Sequence, residues 1–394
     1  MTVAPGPWLR LSALAAVAAS LLAVASGELW LAHRVLALAT LPPLLAVAVA
    51  AWVAHRPLLA PSLAALALFG AAGLATGSEP VHVGLAAAAF AATLVAAALC
   101  FRGEPAANGP WRDYVALTKP RIMSLLLLTG GCGMVVGARG WPGTGLFAIT
   151  MLGLALACGG ASALNHLLDA DIDRLMGKRT QLRPVAAGRV PAPRALEFGL
   201  CLSALSFVLL AAAVNLLTAT LALVGNLFYV LVYTKHLKRS TPQNIVVGGA
   251  AGAVPPLVGW AAATGNLTLP ALWLFLIVFF WTPPHFWALA LLLRENYAAA
   301  KVPMLPVVRG ERETVRRILW YSLCLVPITL LPAIWGPVGA VYLAGALVLG
   351  GLFLALALRL ARLVSRPRAA LVFHASLAYL GLLFVIMALD PILD

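Results

Sequence analysis

Asn165, Asp169 and Asp173 stand four residues apart, which on a helix puts an amide and two carboxylates along one face. The chain has 13 acidic residues in 394 positions, yet Asp169, Asp171 and Asp173 crowd together at the end of a long apolar run. Ionisable groups so close to a membrane span are costly and mark function. Asp171 lies off the shared face and is left for water or a nearby arginine. Arg174, Lys178, Arg179, Arg183, Arg189 and Arg194 follow. Hard oxygen ligands suit Mg²⁺ and guanidinium groups grip phosphate oxygens, so this stretch predicts a site for a magnesium-bound polyphosphate.

Two further clusters carry chemistry. Lys235, Lys238 and Arg239 form a second cationic group, followed by Thr241-Pro242-Gln243-Asn244, where Thr241-Pro242 reads as the opening of a helix. Gly248, Gly249, Ala250, Ala251 and Gly252 then allow either close helix approach or space for a flat, bulky substrate. In the third cluster, His285 sits between Trp281 and Trp287 beside Pro283 and Pro284. The prolines predict a kink and the histidine a cavity lining. Arg294-Glu295-Asn296-Tyr297 comes next.

The elements that must position these groups are membrane helices. The chain is 62% hydrophobic and 10% charged, with a mean hydropathy of +0.98. Apolar runs of about 17–25 residues fit a bilayer, and without strand-like alternation they are helices rather than a barrel. The expectation is an all-α polytopic membrane protein of 13 spans. Residues 1–101 form a four-helix block whose first helix is retained, 102–112 a Gly/Pro/Asn-containing linker, and 113–394 a nine-helix domain. The net charge of +14 points to the lipid bilayer and an anionic substrate, not to nucleic acid. Every Lys and Arg except Arg34 and Arg139 falls on one side of this arrangement. By the positive-inside rule the amino terminus and the site loops are cytoplasmic and the carboxyl terminus lies outside. The five cysteines lie in or beside apolar runs and read as small buried residues.

Residues 113–392 resemble the protoheme IX farnesyltransferases, or heme O synthases, of the UbiA superfamily of intramembrane prenyltransferases. The resemblance is carried by Leu117-Thr-Lys-Pro-Arg-Ile122, the Asn165–Asp173 motif, and Lys178-Arg-Thr with Arg183-Pro184 and Gly188-Arg189. It is carried further by Thr241-Pro-x-Asn244 with Pro255-Pro256 and Gly259-Trp260, by Pro283-Pro-His-Phe-Trp-Ala288, and by Tyr297 with Val302-Pro-Met-Leu-Pro306. It implies nine helices around a central cavity. It implies heme B and farnesyl diphosphate as substrates, Mg²⁺ as cofactor, and heme O and diphosphate as products, within heme A and cytochrome oxidase cofactor biosynthesis. By the same resemblance Asn165, Asp169 and Asp173 hold Mg²⁺, and Arg179, Arg183, Lys238 and Arg239 act on the diphosphate. Lys119, Arg121, Thr241, Asn244, His285, Trp287 and Tyr297 bind substrate. Two departures stand out. Gln181 and Leu182 replace an Arg and an Asn of the family loop, and Glu295-Asn296 reduces the second acidic cluster, with any second metal ligand, to Glu295.

The first block resembles one four-helix half of heme A synthase, through His33-Arg34, His82 and Phe69–Gly77. Paired histidines across a four-helix bundle can ligate heme axially, so His33 and His82 are the candidate ligands. The alternative is a set of four anchoring helices. Heme A synthase or oxidase assembly proteins are the partners this resemblance implies. For the whole chain two other functions compete: a UbiA enzyme acting on an aromatic quinone precursor, and a cation-coupled transporter using Asp169 and Asp173.

Overall fold

A computed structural model describes Ala16 and residues 111–393 apart from residue 337. Apart from Ala16, Trp111 and Arg112, the four-helix block and the linker, with His33 and His82, lie outside the described residues. Among the described residues the fold is all helical, and nine helices are long and apolar enough to cross a membrane. They are α1 (Pro120–Ala138), α2 (Thr144–Leu168), α3 (Ala192–Ala213), α4 (Leu216–Ser240), α5 (Asn244–Thr264), α6 (Leu269–Leu292), α7 (Gly310–Ile334), α8 (Ala340–Arg362) and α9 (Arg366–Asp390).

The helix ends follow local chemistry. Pro120 starts α1 directly after Lys119, whose φ of 50° turns the chain sharply into the helix. Asn215 caps α4, its side chain accepting from Thr218 N at 2.8 Å. The expected start of α5 at Thr241-Pro242 shifts to Asn244, because Thr241 to Gln243 form a turn held by Asn244 Nδ2 donating to Thr241 O (2.7 Å). Asp390, 1% exposed, accepts from the backbone N–H groups of Gly339 and Tyr342 and so caps the start of α8, where a helix dipole favours negative charge. Pro283 and Pro284 lie within α6, which runs as one helix from Leu269 to Leu292.

Small residues set the packing. A Cβ on Gly133 of α1 would lie 2.6 Å from Pro256 O of α5, and one on Gly259 of α5 would collide with Gly130 O of α1. A Cβ on Gly160 of α2 would lie 2.8 Å from Gly199 O of α3. With lipid outside, such backbone-to-backbone contacts do the work that apolar burial does in water. The glycines of α5 divide between the two roles open to them. Gly248 packs against Tyr233 and Gly249 against Thr282, whereas a Cβ on Gly252 would meet nothing within 4 Å. α6 packs on α7 and α9, and α9 returns to α1. The largest core cluster gathers around α6, with Trp287, Tyr342, Phe353 and Phe384 fully enclosed. The cysteine expectation holds for buried Cys132 but not for Cys201 and Cys324, which are exposed on outward helix faces.

Candidate active site

The single helix expected through Asp173 is interrupted. α2 ends at Leu168, Asp169 takes φ −91° and ψ 2°, and a short helix, Ala170–Leu175, follows. Backbone bonds bridge the break, from Asp169 N to Asn165 O (2.9 Å) and from Asp173 N to Asp169 O (2.8 Å), so the four-residue register is kept. Asn165, Asp169 and Asp173 are 3%, 0% and 0% exposed. Carboxylates that deeply buried need counter-charge.

Asn165 is the hub. Lys119 Nζ donates to its Oδ1 (2.7 Å), and its Nδ2 donates to Asp169 Oδ2 (2.8 Å) and Thr234 Oγ1 (3.0 Å). Lys238 Nζ donates to the same Asp169 oxygen (2.5 Å), and Arg183 Nη1 to Asp173 Oδ1 (2.7 Å). Thr234 and Lys238 reach the cluster from a π-helical stretch, Phe228–Leu237, whose end meets Lys238. Such wide turns are rare and concentrate at functional sites.

Each carboxylate is satisfied on one oxygen only. Asp169 Oδ1 and Asp173 Oδ2 are buried without a partner, which is costly unless something else completes them. Among the described residues no three of His, Cys, Asp and Glu form a metal cluster by themselves. Two carboxylates and an amide suit Mg²⁺, which keeps water and substrate phosphate in its other positions. The electrostatics point the same way. Burial raises the Asp173 carboxyl above the usual range despite Arg183, and burial together with Arg183 pulls the Lys119 ammonium down to about 7. A cation beside Asp173 and an anion beside Lys119 relieve both.

Side-chain ties hold the surrounding segments. Arg189 grips Asp113 bidentately (3.0 and 3.1 Å), Ser162 Oγ donates to Leu117 O (2.6 Å), and Arg174 Nε donates to Ala186 O (3.1 Å). Asn296 Nδ2 donates to Met176 O, joining the Arg294–Ala299 helix to the motif.

The profile of the UbiA prenyltransferase family matches residues 126–387. A protoheme IX farnesyltransferase of Symbiobacterium thermophilum is 55% identical over 282 residues, 71% of this chain and 94% of the relative. The chain belongs to the UbiA prenyltransferase family, in its protoheme IX farnesyltransferase branch. A relative of the same name from Thermus thermophilus is 52% identical over 280 residues, and there the chain spans about half the relative's length, 46%. One from Chloroflexus aurantiacus is 44% identical over 346 residues, 84% of this chain and 59% of the relative. That stretch is longer than residues 113–394, so it extends into the first block. Among solved structures, a digeranylgeranylglyceryl phosphate synthase shares the fold with a TM-score of 0.61 at 18% identity, over 72% of this chain and 99% of that one. A UbiA homolog from Archaeoglobus fulgidus bound to GPP and Mg²⁺ gives 0.53 at 17% identity, over 70% and 99%. The chain is thus a multi-pass membrane protein with a UbiA bundle, and the transporter alternative falls away.

Within that bundle the sequence candidates separate. Asn165, Asp169, Asp173, Lys119, Arg183 and Lys238 form one bonded cluster. Tyr297 is buried within the electrostatic reach of Arg183, Asp169 and Asp173, and burial raises its hydroxyl to about 12. Arg239 turns away to clasp Asp171 (2.7 Å to each oxygen), which holds that carboxyl down at about 2. Arg121, Arg179 and Glu295 are exposed. Thr241 and Asn244 shape the turn before α5, and Asn244 Oδ1 is buried without a partner. His285 is stacked between Trp281 (4.3 Å) and Phe373 (4.9 Å) with Nδ1 2.7 Å from Ser376 Oγ, and Trp287 meets Tyr321 edge-on.

Three participants escaped the sequence argument: Thr234, Asn296 and Asp113. Thr234 lies four residues before Lys238, a spacing that could have found it. His166 lies inside the motif with both ring nitrogens buried and without a partner. Asp113 and Asn296 depend on contacts 76 and 120 residues away in sequence, for which no local signal exists.

Proposed function

We propose that the chain transfers the farnesyl group of farnesyl diphosphate to a vinyl group of heme B, with addition of water, giving heme O and diphosphate. The observation that carries this is the pair of buried, unpartnered oxygens on Asp169 and Asp173, whose other oxygens accept from Lys238 and Arg183, with Lys119 bonded to Asn165 beside them. The branch to which the chain belongs supplies heme as the acceptor and argues against a quinone precursor.

Ionisation of an allylic diphosphate is limited by the charge left on the departing group. Lys119, Arg183 and Lys238 supply fixed positive charge where that charge appears, in a buried site where such groups act strongly. Asn165, Asp169 and Asp173 would hold Mg²⁺, which when bound would supply Lewis-acid neutralisation of the same oxygens. Asn165 keeps Asp169 and Lys119 in register through its two amide atoms. Stacked Tyr229 and Tyr233, ring centroids 5.5 Å apart, keep apolar surface beside Thr234, in accord with a site that holds water off the farnesyl carbon. Arg179 and Arg239, at the rim, receive the incoming diphosphate. Arg121, Thr241, Asn244, His285, Trp287 and Tyr297 are assigned to the substrate walls on the family resemblance.

The same proposal places the site loops on the cytoplasmic face, by the asymmetry of Lys and Arg. It also assigns heme binding by His33 and His82 to residues 1–101, on the resemblance of that block to one half of heme A synthase. Purified full-length chain with heme B, farnesyl diphosphate and Mg²⁺, read by mass spectrometry, should form heme O, and Asp169→Ala should not. Absence of heme O from the parent overturns the acceptor assignment. Equal rates in parent and variant overturn the metal site. His82→Ala should lower the heme bound by the purified protein, and unchanged heme content favours the anchoring alternative.

A further inference from the structure

Arg359, Arg362, Arg366 and Arg368 crowd the turn between α8 and α9. The other basic clusters of the described chain interleave with acids: Arg183 with Asp173, Arg189 with Asp113, Lys238 with Asp169, Arg239 with Asp171, Arg317 with Glu313. At this turn none of the bonds goes to a carboxylate. Arg368 Nη1 donates to Arg359 O (2.9 Å) and Leu363 O (3.3 Å), and Arg366 Nη2 to Leu292 O (3.2 Å). These bonds fasten the turn and leave its charge uncompensated among the described residues.

A cavity of about 570 Å³ opens here, lined by Leu356, Arg359, Arg362, Leu363, Arg368 and Leu371. Leu356 and Arg359 lie at i, i+3 on α8 and Arg368 and Leu371 at i, i+3 on α9, so each helix contributes one face, and Leu363 follows in extended backbone at the end of α8. On both helices the arginines lie toward the turn and a leucine lies deeper along the span. Leu371 is 51% exposed, so the apolar end of the cavity opens onto the outward, lipid-facing surface.

We propose that this turn binds one anionic glycerophospholipid, its phosphate held by Arg359, Arg362 and Arg368 and an acyl chain lying along Leu356 and Leu371. Guanidinium groups present paired donors that match phosphate oxygens, and basic pockets between membrane helices are suited to anionic headgroups. Positive charge spread for orientation alone requires neither a cavity nor a leucine wall below the arginines.

The test uses the full-length chain in detergent, with bound lipid read by native mass spectrometry. One phosphatidylglycerol per chain should be retained, phosphatidylcholine should not, and millimolar inorganic phosphate should not displace it. The double variant Arg359→Lys/Arg362→Lys keeps the charge but loses the paired donors, and its retention of phosphatidylglycerol should fall about tenfold. Leu371→Trp, which fills the apolar end and leaves every arginine in place, should lower retention as well. Should the lysine variant misfold, Leu371→Trp decides. Equal retention of phosphatidylcholine, displacement by phosphate, or retention unchanged in a folded variant overturns the proposal.

Discussion

The Asn165–Arg183 site and the α8–α9 turn are both basic, and they treat charge in opposite ways. At the first, cations reach two fully buried acids, Asp169 and Asp173, each of which keeps one oxygen unpaired. At the second, the bonds of Arg366 and Arg368 go to carbonyl oxygens, and among the described residues no carboxylate meets the four arginines. A buried, interleaved cluster fixes its members individually, because removing one strands its partner. An exposed cluster of one sign is defined by what it attracts. On the two proposals made above, the first would take an ion pair such as a metal diphosphate, and the second a single anion.

That contrast orders the expected effects. Asp169→Asn removes a buried charge and strands Lys238, and kcat/KM for heme O formation should fall about a thousandfold, about 4 kcal/mol, with the Mg²⁺ dependence weakened in the same titration. Asn165→Ala removes the amide that holds Asp169 and Lys119 together, and a loss of about a hundredfold is expected, mostly in kcat. Asn296→Ala frees the motif from the Arg294–Ala299 helix, and an approximately tenfold loss follows from the misplacement of a site some distance away, visible as a rise in KM for farnesyl diphosphate. Arg239→Ala should cost about two- to fivefold, since its partner Asp171 is exposed and surface pairs are weak. An effect as large as that of Asp169→Asn would erase the distinction drawn between buried and exposed members.

The smallest effect concerns pH. Arg239 depresses the Asp171 carboxyl to about 2 in the fold, against about 3.9 unfolded. A depressed acid stabilises the fold above its unfolded pKa and loses that contribution as pH falls through the folded value. The difference in melting temperature between the parent and Asp171→Asn should therefore stay flat from about pH 5 to 8 and vanish only on acidification toward pH 2. A difference that changes near neutrality would show that another group titrates with the pair.

Much of this protein is local, and local properties are legible in a sequence. The nine spans arise from apolar length, since a bilayer forces each backbone to bond within itself. The spacing of Asn165, Asp169 and Asp173 announces a shared face because helical register is a property of neighbouring residues. The cations near them are equally apparent. What the sequence could not decide is which cation serves which acid. Arg183 and Lys238 enter the buried cluster, whereas the equally basic Arg179 stays at the surface and Arg239 turns to Asp171. Nor could it show that Thr234 and Asn296 complete the site, or that His285 stacks between Trp281 and Phe373. Those outcomes depend on helices brought together from distant parts of the chain, with glycines in α1, α2, α3 and α5 letting their backbones approach. Residue type and spacing determined the chemistry available; tertiary packing decided which groups lost their water, and so which of them interact strongly.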